Sequence, residues 1–117
     1  MQYLLALYVD EYGWGRMTTE QQQQGSAAYT AYTEALRSAG VLINSNRLRP
    51  SATATTLRSA NGKTQVLDGP FAESKELVGG FFLLDCSTRE QALGLAAECP
   101  AAEWATIEVR EVGPCYE

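Results

Sequence analysis

The order of apolar runs along the chain constrains its fold more than any other feature. Residues 2–9 are an apolar run short enough for a strand buried on both faces, and residues 79–85 are expected to form a central strand. Between them, Thr18 marks the start and Gly40 the end of a helical pattern. The pattern reads strand, helix, four strands, helix, strand, which predicts a single domain over residues 1–117.

The helices and the shorter strands follow from spacing and turn signals. The first helix has an apolar stripe, and the second has a cap at Ser87 and Glu90, a stop at Pro100 and a narrow apolar face. The stripe is Ala28, Tyr32, Ala35, Leu36 and Ala39, and the narrow face is Leu93, Ala96 and Ala97. Asn61-Gly62 predicts a hairpin between strands at 53–58 and 63–67, with further strands at 41–43 and 106–112. Two helices on one face of a mainly antiparallel sheet predict a ferredoxin-like α+β layer pair.

Charge and the N-terminal residues exclude several classes of protein. The net charge of −5 argues against a general nucleic-acid binder and against an anionic membrane surface as partner. The first residues have no positive stretch and meet Asp10 early, unlike a signal peptide or a membrane span. We therefore expect a cytoplasmic protein with neither nucleic acid nor membrane as partner.

The residue types also limit the chemistry. Cys86, Cys99 and Cys115 form no CxxC pair and the chain has no histidine, so we expect reduced thiols and no metal site. Rossmann and P-loop motifs are missing, which favours a scheme without an organic cofactor. Any catalysis then depends on carboxylates, lysine, tyrosine or arginine.

The segment Asp68–Glu76 concentrates ionisable groups around a Gly-Pro turn. In one interpretation, Asp68, Glu73 and Lys75 are catalytic: a carboxylate acts as the base, the lysine holds an anionic group, and Phe71 contacts the substrate. In the other, the segment is only a turn, with Phe71 filling the core and Asp68 accepting local backbone N–H bonds.

Further candidate ligand contacts lie elsewhere in the chain. Asp10 and Trp14 follow the first strand and are placed to contact a ligand and to act as a lid, and Tyr8 adds a phenol on the same strand. Arg47 and Arg49, ahead of Pro50, are candidates for binding an anionic substrate. Each also has a plain structural explanation, as a solvated loop, core filler or a charged edge strand.

The segment Asp68–Glu76, together with residues 79–85, resembles the DGPF branch of the YCII-related family. The likeness extends from Tyr3-Leu4-Leu5 through 53–58 to Glu108-Val109-Arg110. It implies two ferredoxin-like sheets pairing face to face as a dimeric α/β barrel, hence a homodimer. Some members carry a histidine and an aspartate on the first helix, proposed as a catalytic pair. Those positions fall at Tyr29 and Ser38 here, which argues against a shared mechanism but leaves Tyr29 as a possible hydrogen-bond donor to a ligand.

Four functional hypotheses remain open at this point. The first is a cofactor-free enzyme acting by proton transfer on a small carbonyl or aromatic compound, because dimeric α/β-barrel relatives include isomerases, lyases and monooxygenases. The second is a binding or sensing module for such a molecule. The third is a regulatory partner, since DGPF-type proteins resemble those encoded beside extracytoplasmic-function sigma factors. The last is a structural dimer without a ligand.

Overall fold

The computed structural model describes residues 1–115 and contains six strands in two separate sheets. The strands are β1 (Gln2–Val9), β2 (Leu42–Arg47), β3 (Thr55–Ala60), β4 (Lys63–Asp68), β5 (Leu77–Asp85) and β6 (Thr106–Glu111). The main sheet is antiparallel with the order β2-β5-β1-β6, while β3 and β4 pair with each other. This is the ferredoxin-like order, with the β3–β4 hairpin inserted before the third strand of the motif.

Three α-helices connect the strands: α1 (Glu11–Gly15), α2 (Thr19–Ser38) and α3 (Arg89–Ala97). The two longer helices were predicted, whereas α1 replaces an expected loop after β1. Short 3₁₀ turns cover Ser51–Thr53 and Pro100–Glu103. Within the described residues, no helix is both long and apolar enough to cross a bilayer.

The predicted ends of α2 are confirmed, and the start of α3 is corrected by one residue. Thr18 Oγ1 accepts from the Gln21 amide at 3.1 Å, the Gln21 side chain accepts from the Thr18 amide at 2.9 Å, and Gly40 has φ of 75°. In α3 the cap is Thr88, which accepts from the Gln91 amide at 3.1 Å. Two adjacent residues with hydroxyl side chains are each followed, three positions later, by a residue that can complete a capping box. The sequence pattern therefore did not show which of the two caps α3.

The core lies between the main sheet and the two longer helices, which share one face. Its members come from both layers and the connecting turns: Tyr3, Leu5, Leu7, Tyr32, Leu36, Val41, Phe82, Leu84, Cys86, Ala92, Ala96, Cys99 and Ala101. The predicted apolar stripes are partly wrong, since Ala28, Ala35, Ala39, Leu93 and Ala97 are exposed. In α2 the larger Tyr32 and Leu36 are buried, whereas α3 buries Ala92 and Ala96. Tyr32 Oη donates to Leu95 O at 2.6 Å between α2 and α3.

The opposite face of the main sheet has no helix over it among the described elements. Strand alternation places Leu4, Ala6 and Tyr8 there, because their neighbours Tyr3, Leu5 and Leu7 belong to the core on the helix side. The same alternation places Phe81 and Leu83 of β5 beside them, and their side chains are half-buried. We call this surface, Leu4, Ala6, Tyr8, Phe81 and Leu83, the open face.

The β3–β4 hairpin, residues 55–68, projects from this body, and we call it the arm. The chain has a Cα radius of gyration of 16.3 Å and extents of 48 × 45 × 18 Å. A folded domain of this length has a radius of about 13 Å. The excess reflects a flat molecule with an extended arm.

Candidate functional site

An open cleft lies at the end of the main sheet where β1 and β2 finish. It has a volume of about 1310 Å³ and is bounded by the sheet, by the middle of α2, and by α1 and the Pro100–Glu103 turn. The lining includes Leu7, Trp14, Tyr29, Arg47, Phe82 and Trp104. Pockets for small molecules usually measure about 300–1,000 Å³. The cleft therefore has room for a small ligand and is not closed around one.

Trp14 and Arg47 form a stacked pair in the lining of the cleft. The guanidinium carbon of Arg47 lies 5.1 Å from the centroid of the Trp14 ring, within cation–π distance. Arg47 comes from the last position of β2 and Trp14 from α1, so the pair joins a sheet strand to the short helix. Stacking limits the movement of the guanidinium while its N–H groups stay available for an anionic ligand.

Tyr29 and Trp104 form a second aromatic pair in the lining. Their ring centroids are 6.1 Å apart with an edge-to-face angle of 75°. Burial raises the pKa of Tyr29 to about 12, the Cys99 thiol adds to this increase, and the Arg47 guanidinium opposes it. Tyr29 thus carries its proton through the neutral range and presents a hydrogen-bond donor beside Arg47.

Three carboxylates of the lining accept hydrogen bonds from the protein. Glu11 accepts from the Ser51 amide at 2.8 Å and from Ser51 Oγ at 2.5 Å, which fixes α1 to the turn after β2. Asp10 accepts from the Tyr12 amide at 3.1 Å and caps α1. Glu76 accepts from Thr106 Oγ1 at 3.0 Å. These acids have a role in building the wall of the cleft.

The structure brings together only part of the predicted site. Asp10, Trp14, Tyr29, Arg47 and Lys75 all line the cleft. Arg47, Arg49 and Lys75 each bring a cation to the lining. This half of the predicted set comes from four separate parts of the chain and meets in one place.

The other predicted residues, Tyr8, Asp68, Phe71 and Glu73, are not among the residues lining the cleft. Tyr8 lies on the open face, on the other side of the sheet. Asp68 ends β4 at the base of the arm. Phe71 is 77% exposed, so the interpretation in which it fills the core is wrong.

The turn after Asp68 is held by hydrogen bonds at the base of the arm. Gly69 has φ of 100°, a conformation that favours glycine. Its amide donates to Ala54 O at 2.7 Å and its carbonyl accepts from Thr56 Oγ1 at 2.8 Å. The Phe71 ring then lies 5.6 Å from the guanidinium carbon of Arg58. The motif therefore shapes the base of the arm in a single chain.

Sequence reasoning missed Trp104, Glu76 and Glu103 in the lining. The chain has only two tryptophans, and this scarcity was the available signal. Trp104 follows a proline-initiated turn rather than a strand end, so no strand or helix pattern connected it with Trp14.

These features define a ferredoxin-like α+β protein with an aromatic cleft between its first long helix and its sheet. Residues 1–115 match the family model described as the YCII-related domain. The chain belongs to the YCII-related family, and its Asp68–Phe71 segment carries the residues for which the DGPF branch is named.

Two known proteins are similar over nearly the whole chain. An uncharacterized protein of Rhizobium meliloti (strain 1021) is 37% identical over 112 residues, covering 94% of this chain and 90% of that protein. A solved structure with a TM-score of 0.57 and 14% identity covers 97% of this chain and 94% of its own. It is 5-chloro-2-hydroxyhydroquinone dehydrochlorinase from Burkholderia phenoliruptrix AC1100, in complex with 2,5-dihydroxybenzoquinone. At this identity the similarity shows the fold.

Proposed function

We propose that the cleft binds a small planar ring compound carrying carbonyl and acidic hydroxyl groups. The observation that carries the proposal is that both tryptophans of the chain line one cleft, with the Arg47 guanidinium stacked on one of them. Flat aromatic walls suit a planar ring, and Arg47 with Lys75 suits its negative charge. The ligand of the dehydrochlorinase structure belongs to the same chemical class.

The Tyr29 hydroxyl orients the bound ligand by offering it a hydrogen bond. Its proton stays in place at neutral pH, as for an ordinary tyrosine, and burial raises the pKa of Tyr29 further, to about 12. A donor of this kind beside Arg47 suits a carbonyl or enolate oxygen, whose charge increases when a proton leaves the neighbouring carbon. The arrangement therefore favours stabilisation of an enolate-like species over nucleophilic attack.

The finer proposal is cofactor-independent acid–base chemistry on this compound, with Asp68, Glu73 and Lys75 as the catalytic set. Lys75 lines the cleft, while Asp68 and Glu73 lie outside its lining in a single chain. If Asp68 is the base, Asp68→Asn should abolish turnover and leave ligand affinity nearly unchanged. If the Asp68→Asn variant turns the compound over as fast as the parent protein does, Asp68 is not the base.

Homodimer formation through the open face belongs to the same proposal. The aliphatic and aromatic side chains of that face form an apolar surface without a helix over it, and a second sheet is the simplest cover. A cytoplasmic location and an association with a sigma factor stay predictions.

Ligand binding is tested by calorimetric titration with 2,5-dihydroxybenzoquinone. Arg47→Gln removes the stacked cation and should weaken binding about tenfold or more, in line with the loss of a charge-assisted hydrogen bond. Arg58→Gln is the matched control, because Arg58 is also stacked on an aromatic ring but lies on the arm. Equal affinities of the two variants would show that Arg47 does not bind the ligand, and would remove the stacked cation from the proposal.

A further inference from the structure

A second, smaller cavity adjoins the cleft, and we call it the groove. It has a volume of about 570 Å³ and lies between α1, the first half of α2 and the Pro100–Glu103 turn. Both cavities are lined by Trp14, Met17, Glu103 and Trp104. The groove is also lined by Gln21, Gln24, Gly25, Ala28 and Pro100. Because the two tryptophans border both cavities, a ligand that contacts them in the cleft can continue into the groove.

The two cavities differ in the cations that they offer. Arg47, Arg49 and Lys75 line the cleft, whereas no cation lines the groove among the residues that the structure describes. Glu103 is the charged side chain of the groove lining. An acidic group of a ligand therefore finds a cation in the cleft, and in the groove it would face a carboxylate of like charge. The part of a ligand that lies in the groove should be uncharged.

The side chains of the groove suit an aromatic group. Indole rings offer flat apolar surface, and Trp104 is 43% exposed, so part of its ring is free for a ligand to cover. Met17 adds a flexible thioether side chain that adapts to the shape of its neighbours. The volume of the groove also lies within the usual range for small-molecule pockets, about 300–1,000 Å³. An uncharged ring therefore matches the groove in size, shape and polarity.

We propose that the cleft and the groove together bind a substituted ring compound. Its acidic ring lies in the cleft beside Arg47, and an uncharged aromatic substituent on that ring lies in the groove between α2 and the Pro100–Glu103 turn. This inference rests on the proposed function and narrows its ligand class. Ala28 is then a specificity-determining residue, because its small side chain leaves room for the substituent.

The test is a calorimetric titration with 2,5-dihydroxybenzoquinone and with its 3-phenyl derivative, which carries the same acidic ring. We expect the parent protein to bind the derivative about tenfold more tightly or better, because the phenyl group leaves water for the groove. Ala28→Phe fills the groove and should bring the two dissociation constants within about twofold of each other. Ala27→Phe is the matched control: it adds the same ring at an exposed neighbouring position that lines neither cavity, and should keep the preference of the parent protein.

The outcomes separate the groove from the cleft. If the parent protein binds both compounds equally, or if Ala28→Phe keeps the preference for the derivative, the groove proposal is wrong and binding in the cleft stands. If Ala28→Phe removes the preference while Arg47→Gln weakens neither compound, the groove proposal stands and the stacked cation is removed from the proposed function. Binding of neither compound would overturn both. A sedimentation coefficient that changes in Ala28→Phe and not in Ala27→Phe would assign the groove to a contact between chains, against the proposal.

Discussion

A Cβ atom at Gly25 would lie 3.3 Å from Cζ3 of Trp14, so the missing side chain at this position lets the indole lie against α2. Glycine inside a helix costs about 1 kcal/mol relative to alanine. Here the glycine makes room for the Trp14 ring, which forms an aromatic wall of the cleft. Gly25 is therefore a positioning residue for Trp14.

Gly25→Ala should gain helix propensity but displace the Trp14 ring. Gly94→Ala is the matched control, since Gly94 is inside α3 and an added Cβ meets no atom within 4 Å. We expect Gly94→Ala to raise the free energy of unfolding by up to about 1 kcal/mol. Gly25→Ala should gain less or lose stability, and should shift the tryptophan emission spectrum. Equal gains with unchanged emission would contradict the packing role.

Stability at alkaline pH should depend on Tyr29. Because burial raises the folded-state pKa of Tyr29 to about 12, its contribution is complete below the unfolded value of about 10 and is lost as the pH rises through 12. Urea unfolding across this range should show the free energy of unfolding falling, and Tyr29→Phe should flatten the fall. If the free energy of unfolding falls equally with pH in the parent protein and in Tyr29→Phe, Tyr29 is not buried with a raised pKa.

The three thiols should react at different rates. Cys115 is exposed, whereas Cys86 and Cys99 are buried, and burial raises the pKa of both buried thiols. Iodoacetamide should modify one cysteine per chain in the native protein and three after unfolding, with Cys115→Ser abolishing native modification. Native modification of Cys99 at the rate of Cys115 would contradict the core packing.

The contact between Glu11 and Ser51 should stabilise the wall of the cleft. Glu11→Ala removes both hydrogen bonds that join α1 to the turn after β2, and we expect a loss of about 1–2 kcal/mol. Glu34→Ala is the control, because Glu34 pairs with Arg37 on the exposed surface of α2, where an ion pair contributes about 0.5 kcal/mol. Denaturant melts of both variants measure the difference, and equal losses would remove the special role of Glu11.

The sequence predicted the fold well because its signals are local. Capping residues placed the ends of α2, and apolar runs placed β1 and β5, where burial on the sheet leaves a clear pattern. The helix faces were less well predicted, since small alanines at Ala28 and Ala35 match the helical period without being large enough to determine which side is buried.

The site was only half predictable. Trp14 was predicted as a lid after β1 and Arg47 as an anion-binding residue, and both line the cleft. No pattern in the sequence indicated that the two side chains meet. The position of Asp68 depends on whether the hairpin joins the main sheet, which is a long-range choice that no local pattern records. The cluster of ionisable residues around Asp68 was therefore predicted to be a functional site. In a single chain, the turn that contains it forms the base of the arm.

Ligand binding in the cleft is tested most directly through the two indole N–H signals, because Trp14 and Trp104 are the tryptophans of this chain and both line the cleft. Protein labelled with nitrogen-15 at tryptophan is titrated with 2,5-dihydroxybenzoquinone and followed by two-dimensional NMR. We predict that both indole signals shift along one saturating curve, and that Arg47→Gln moves this curve to higher ligand concentration. Two unmoved indole signals at millimolar ligand would contradict the assignment of this cleft as the binding site.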